Sequence, residues 1–152
     1  MTDTEGMLLA LEQAQEAARK GETPVGAVLV KNGKILARAH NLRETRHDPT
    51  AHAEMLCIRQ AAEALGDWRL QDCTLYVTLE PCPMCAGAMV MSRLSRCVYG
   101  ASDPAVGCCG SVYDLPADPA FHARTRWQSG VLEDACAQQL SSFFESRREK
   151  EP

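Results

Sequence analysis

The chain has 152 residues, 45% hydrophobic and 24% charged, a size and balance ordinary for one soluble globular domain with its own core. It contains no run of about 18 apolar residues, so a membrane span is excluded, and its start, Met1-Thr2-Asp3-Thr4-Glu5-Gly6, lacks the basic and apolar stretches of a secretory leader. Both features point to the cytoplasm. The net charge of −4 runs against a uniformly basic nucleic-acid surface, but charge is segregated. Arg43 and Arg46 lie beside the motifs described below, and Arg147, Arg148 and Lys150 crowd the C-terminus, where they equally suit a helix end complementing its own dipole.

Met7, Leu8, Leu11, Ala14 and Ala18 keep helical spacing among good helix formers, and Gly21 is placed to stop that helix. Two apolar runs follow, Val25 to Val30 and Ile35 to Ala39, joined by Lys31-Asn32-Gly33-Lys34. Asn-Gly between such runs signals a hairpin, because both residues tolerate positive φ. Met55, Ile58, Ala62 and Leu65 predict a second helix ended by Gly66, Cys73 to Leu79 a strand, and Pro83 to Leu94 a third helix. Pro83 suits its first position, where a missing N–H costs nothing. Arg96 to Ala101 reads as another strand, 103–118 as loop or short helix, and Leu132, Cys136, Leu140, Phe143 and Phe144 as the stripe of a last helix. No repeat or linker interrupts the chain, so one domain over 1–152 is expected. A hairpin followed by alternating strands and helices predicts a mixed or parallel sheet covered on both faces.

Eight cysteines in a chain of this kind do not suggest a disulfide framework. Most, such as Cys97 and Cys136, read as small buried apolar residues. Cys82 and Cys85 differ. They stand in Glu80-Pro81-Cys82-Pro83-Met84-Cys85, one turn apart at a helix start, where two thiolates can grip a tetrahedral zinc ion and the helix N-terminus favours the thiolate. A second motif, Thr50-Ala51-His52-Ala53-Glu54, supplies a nitrogen ligand in His52 and a free carboxylate in Glu54. Positions two apart on a helix diverge by roughly 200°, so both serve one site only if it sits at the helix mouth. Asp48-Pro49-Thr50 marks such an entry, with Thr50 as the expected cap. Three ligands leave a fourth position for water, which ionises near neutral pH on zinc, and Glu54 can move its proton. A structural zinc clip, with Cys108, Cys109 or His47 as fourth ligand, and a redox pair are the bland alternatives. The remaining histidines, His40, His47 and His122, read as solvated.

His-x-Glu followed by Pro-Cys-x-x-Cys is the signature of zinc nucleobase deaminases. Across nearly the whole chain the sequence resembles the cytidine deaminase-like superfamily and, within it, the bacterial tRNA-specific adenosine deaminases. The likeness runs through Pro24-Val25-Gly26-Ala27, the segments 48–54 and 74–82, Met84 to Met89, Ser92-Arg93, Tyr99-Gly100-Ala101, Gly130-Val131-Leu132 and Phe143-Phe144. The Cys85-Ala86-Gly87-Ala88-Met89 continuation points to tRNA rather than a free base. The resemblance implies a three-layer α/β/α fold on a mixed five-stranded sheet, with one Zn2+ per chain on His52, Cys82 and Cys85. It makes Glu54 the proton shuttle and assigns substrate contacts to Asn41, Val25, Ala53 and Asp103. The implied reaction is hydrolytic deamination of the wobble adenosine in a tRNA anticodon loop to inosine by zinc-activated water, in a cytoplasmic homodimer. One departure stands out: Phe121-His122-Ala123-Arg124 replaces the family's Asn-His-Arg tripeptide, and Thr125-Arg126-Trp127 adds bulk and charge.

Two other functions compete. A free-base deaminase for guanine or cytosine would use the same zinc chemistry and is separated by comparing tRNA with free bases. A non-catalytic zinc scaffold that binds RNA would keep every activity in Glu54→Ala.

Overall fold

Thr2 and Glu5 start the first helix by bonding each other's backbone: the Glu5 N–H donates to Thr2 Oγ1 at 3.1 Å and the Thr2 N–H to Glu5 Oε2 at 2.9 Å. In the computed structural model, which describes the backbone of residues 1–150 and side chains through Arg148, this helix (α1) spans Asp3–Arg19. The side chain of Lys150, part of the C-terminal basic cluster, lies outside the described residues, as do residues 151–152.

Strands β1 (Gly26–Lys31) and β2 (Lys34–His40) form the expected hairpin, and Asn32 and Gly33 both take positive φ, 50° and 76°. Helix α2 (Ala53–Leu65), strand β3 (Cys73–Leu79), helix α3 (Pro83–Met91) and strand β4 (Arg96–Ala101) follow, then β5 (Arg126–Gln128) and α4 (Glu133–Lys150). The sheet order is β2-β1-β3-β4-β5. β1 runs antiparallel to β2 and β3, whereas β3, β4 and β5 are parallel, so the sheet is mixed and five-stranded as expected.

Side-chain alternation splits the core into two faces. Ala27, Leu29, Leu75, Val77, Cys97 and Tyr99 point toward α2 and α3, joined by Leu56, Cys57, Ala86 and Met89. Val28, Val30, Tyr76 and Val98 point the other way, toward Met7 and Ala10 of α1 and Cys136 of α4. This is the three-layer α/β/α arrangement. Among the described residues no helix is long and apolar enough to cross a membrane.

Several boundaries differ from expectation. On α2 the buried set is Ala53, Glu54, Leu56, Cys57, Ile58 and Ala61, a stripe offset from the one read through Met55 and Leu65. Helix α3 stops at Met91 rather than Leu94, because Arg93 adopts a left-handed backbone (φ 61°). Segment 103–118 holds no helix; one turn of 3₁₀ helix follows it at Pro119–Phe121. Leu132 also takes a left-handed backbone and so precedes α4. His40 is half-buried rather than solvated, with its ring nitrogens 3.0 Å from Lys20 Nζ and 3.1 Å from Gln13 Oε1. The basic tail is partly engaged, since an Arg147 N–H donates to the Gly21 carbonyl at 3.2 Å.

α1 lies so close to β1 that a Cβ at Gly26 would overlap Ala10 O and Ala14 N. Gly26→Ala is therefore expected to cost about 1–3 kcal/mol by overpacking, read as a lowered Tm. At the other side of α1, Asp3 accepts two bonds from Arg96 at 2.7 Å and one from Tyr76 Oη at 3.0 Å. The Arg96 bonds, helped by the Tyr76 hydroxyl, hold the Asp3 carboxyl below its usual value against burial, which raises it. A carboxyl depressed on folding adds stability above its unfolded pKa of about 3.9 and loses it as pH falls through the lower folded value. With side chains 39% and 34% exposed, the pair is worth only about 1 kcal/mol. The stability gap between wild type and Asp3→Asn, measured by urea unfolding, is expected to be open at neutral pH and to close in acid.

Candidate active site

β3 and β4 end side by side at Leu79 and Ala101, and α2 and α3 both begin at this end of the sheet. His52 caps α2 in an extended conformation (φ −77°, ψ 151°), and Glu54 is the second helical residue. Because His52 lies outside the helix, the helical divergence between positions two apart does not apply, and both side chains reach the helix mouth. Thr50 is not the cap. Its N–H and hydroxyl instead donate to Asp48 Oδ1 at 2.8 and 2.7 Å, closing the turn that delivers His52. Cys82 caps α3 in the same extended way (φ −74°, ψ 176°), Pro83 takes the first helical position as expected, and Cys85 the third.

These two caps meet. His52 Nδ1 lies 3.6 Å from Cys82 Sγ and 3.5 Å from Cys85 Sγ, and the three donor atoms all fall within 4.8 Å of one another. Tetrahedral zinc with the usual Zn–S and Zn–N bonds sets N···S edges of about 3.5–3.6 Å, so the donor set fits that ion in type and spacing. The charge pattern agrees. The Cys85 thiol donates to Cys82 and, with the His52 ring, pulls the Cys82 thiol down to about 4, against burial. The same bond, with burial, pushes Cys85 up, and the bond to Cys82 raises His52. Metal binding requires the thiolate form of cysteine, which Cys82 already favours. Among the described residues no fourth donor joins: Cys108, Cys109 and His47 stand outside the group, which leaves a position for water rather than closing a structural clip.

A cavity of about 390 Å³ opens over this cluster. Of the residues expected at the site, His52, Glu54, Cys82, Asn41, Val25, Ala53 and Asp103 all line it; Cys85 is buried behind the wall. Burial of Glu54, 4% exposed, pushes its carboxyl up to about 7. Asn41 is buried, and its Oδ1 accepts the Arg43 N–H at 3.1 Å, which frees its amide hydrogens. Asp103 Oδ1 accepts from the Ala105 and Val106 amides at 3.0 and 3.3 Å, and Oδ2 takes no part in that turn. Arg43 lines the cavity and Arg46 does not.

Residues 1–116 match the family of MafB19-like deaminases. The chain is 55% identical over 141 residues to the tRNA-specific adenosine deaminase of Bacillus subtilis (strain 168), covering 93% of this chain and 88% of that one. The chain belongs to the tRNA-specific adenosine deaminase family. A structure solved in work on A-to-I editing by tRNA:A34 deaminases superposes with a TM-score of 0.87 at 44% identity, covering 90% of this chain and 99% of that one. The guanine deaminase of Bacillus subtilis superposes with a TM-score of 0.65 at 43% identity, over 67% of this chain and 66% of that one.

Several wall residues of this deaminase were not assigned to the site from the sequence. Leu79 and Ser102, at strand ends, follow from the rule that such sheets bind ligands beyond their strands' carboxyl ends. Leu140 and Phe144 do not: the last helix brings them over the cavity, and Phe144, read as core, is 44% exposed. The Phe121–Arg124 departure lies elsewhere. With Arg93 and Ser95 it lines a groove at the opposite end of the sheet, where β4 begins. Trp127 packs on Tyr99 at 5.9 Å, and its Nε1–H donates to Asp114 at 3.1 Å.

Native mass spectrometry of metal-stripped protein titrated with a divalent ion is expected to show one ion per chain. Removing the nitrogen ligand in His52→Ala is expected to weaken binding roughly a hundredfold, with the fold intact by circular dichroism.

Proposed function

We propose that the chain hydrolyses the 6-amine of the wobble adenosine in a tRNA anticodon loop, giving inosine and ammonia, with one Zn2+ held by His52, Cys82 and Cys85. The observation that carries this is the placement of a buried, unusually basic carboxylate, Glu54, in one cavity with that ligand set and with Asn41. Zinc bound there supplies Lewis-acid activation of water at neutral pH. Glu54 accepts a proton from the attacking water, passes it to N1 of the ring, and delivers the next to the departing amine. A carboxyl near neutrality suits a group that must both take and give a proton. Asn41 turns its free amide hydrogens toward acceptors on the base, and Val25 gives the ring an apolar wall. Ala53 opens α2, and the first amides of a helix have no partner within it, so its N–H is available to substrate. Asp103 offers Oδ2 to a ribose hydroxyl. An anticodon loop is already unpaired, so swinging one base into the cavity costs less than it would from a duplex.

The same reading takes the chain as one deaminase domain acting as a cytoplasmic homodimer. Unpaired cysteines, seven of them buried, suit a reducing compartment.

The test is inosine formation in an unmodified tRNA whose anticodon begins with adenosine. Wild type is expected to convert it, and Glu54→Ala to retain zinc while losing activity by roughly a thousandfold, the scale of a lost general acid–base group. A zinc-loaded wild type that leaves tRNA unchanged but releases ammonia from free guanine or cytosine would overturn the substrate, and an equally active Glu54→Ala the mechanism.

A further inference from the structure

Behind the two walls of the cavity stand two more buried carboxylates, Glu22 and Glu80, 0% and 2% exposed, which the chemistry above does not use. Glu22 sits in the turn between α1 and β1. Its Oε1 accepts the Glu44 N–H at 3.1 Å and its Oε2 the Thr45 N–H at 2.7 Å. Those amides belong to the loop that carries Asn41 and Arg43 into the cavity. Glu80 follows β3. Its Oε1 accepts the Asp103 N–H at 3.0 Å and the Ser111 hydroxyl, and its Oε2 the Cys109 and Ser111 N–H groups at 3.0 and 3.1 Å. The loop so gathered supplies Asp103, Pro104 and Val106 to the opposite wall. It closes around the carboxylate so tightly that a Cβ at Gly107 would overlap both Glu80 and the Asp103 carbonyl.

We propose that Glu22 and Glu80 are paired positioning residues, each holding from behind one loop of the substrate cavity in the shape that receives the RNA. Neither loop lies in a helix or strand, so its amides need acceptors from elsewhere, and a buried carboxylate in turn needs donors. An apolar residue in either place would fill the volume and leave the loop untethered. Although Glu80 borders the cavity, both its oxygens are committed to the loop, so it acts on substrate only through Asp103 and its neighbours. The proposal rests on the tRNA reading for its substrate, but the tethering itself is a property of the chain.

Two readouts on the zinc-loaded protein test it: amide hydrogen exchange and steady-state kinetics with an anticodon stem-loop hairpin. Glu80→Gln is expected to speed exchange about tenfold at Asp103, Cys109 and Ser111 and to leave Glu44 and Thr45 unchanged. Glu22→Gln is expected to do the reverse. Each variant should raise KM about tenfold, with kcat within about threefold of wild type and zinc content unaltered. Gly107→Ala should reproduce the Glu80→Gln pattern through steric intrusion. Should Glu80→Gln fail to fold, Ser111→Ala removes only the side-chain donor and is expected to give the same pattern in smaller measure. Unchanged exchange in both loops, or loosened loops with wild-type KM, would overturn the proposal. A wild type inert toward the hairpin would overturn the substrate reading instead, and the tethering would then stand or fall on the exchange alone.

Discussion

The meeting of two helix caps, His52 at the head of α2 and Cys82 at the head of α3, is the contact on which the rest of the site depends. It requires that both helices lie on the same face of the sheet and start at the same end. The common direction of β2, β3 and β4 secures this: β2 and β3 both run antiparallel to β1, α2 crosses from β2 to β3 and α3 from β3 to β4, so each helix begins where a strand ends at the same end of the sheet. Extended backbone at each cap turns the side chain out of the helix and toward the other. Moving either residue one place into its helix would aim its donor atom elsewhere, by the period of the helix.

Burying charge at this end of the sheet is costly, and the three glutamates show two ways of meeting that cost. For Glu22 and Glu80, burial pushes the carboxyl up, but donors from Thr45 and Glu44, and from Ser111, Asp103 and Cys109, outweigh it and leave both below the usual value. For Glu54 burial prevails, because fewer donors compensate it. Two carboxylates are thus fixed as acceptors, and the third is left with its carboxyl raised to about 7. Environment, not residue type, assigns the roles.

Much of this was legible in the sequence because it is local. The Asn32-Gly33 turn, Pro83 at a helix start, Gly66 as a stop and the two motifs that bring His52, Cys82 and Cys85 together each depend on a few adjacent residues. What the sequence did not disclose lay at element boundaries or in contacts between distant segments. Thr50 has the chemistry of a cap, yet Asp48 captures its hydroxyl and amide first. β5 left no periodic trace, because three residues at a sheet edge cannot display an alternation; its place is set by pairing with β4. The roles of Glu22 and Glu80 had no local sign, since the amides they bind lie 22 to 31 residues away in the chain.

The departure at Phe121–Arg124 takes its meaning from this geometry. The proposed ligands, Glu54 and the walls of the cavity gather beyond the carboxyl ends of β3 and β4, whereas the departure lines a groove where β4 begins. The two linings share no residue. Trp127 rests on Tyr99 and is anchored to Asp114, while the Tyr99 hydroxyl donates to the Cys109 carbonyl at 2.7 Å. Cys109 is itself one of the amides gathered by Glu80. Trp127, three residues beyond the departure, is thus joined through Tyr99 and Cys109 to the loop that Glu80 holds, whereas Phe121–Arg124 itself lines only the distant groove.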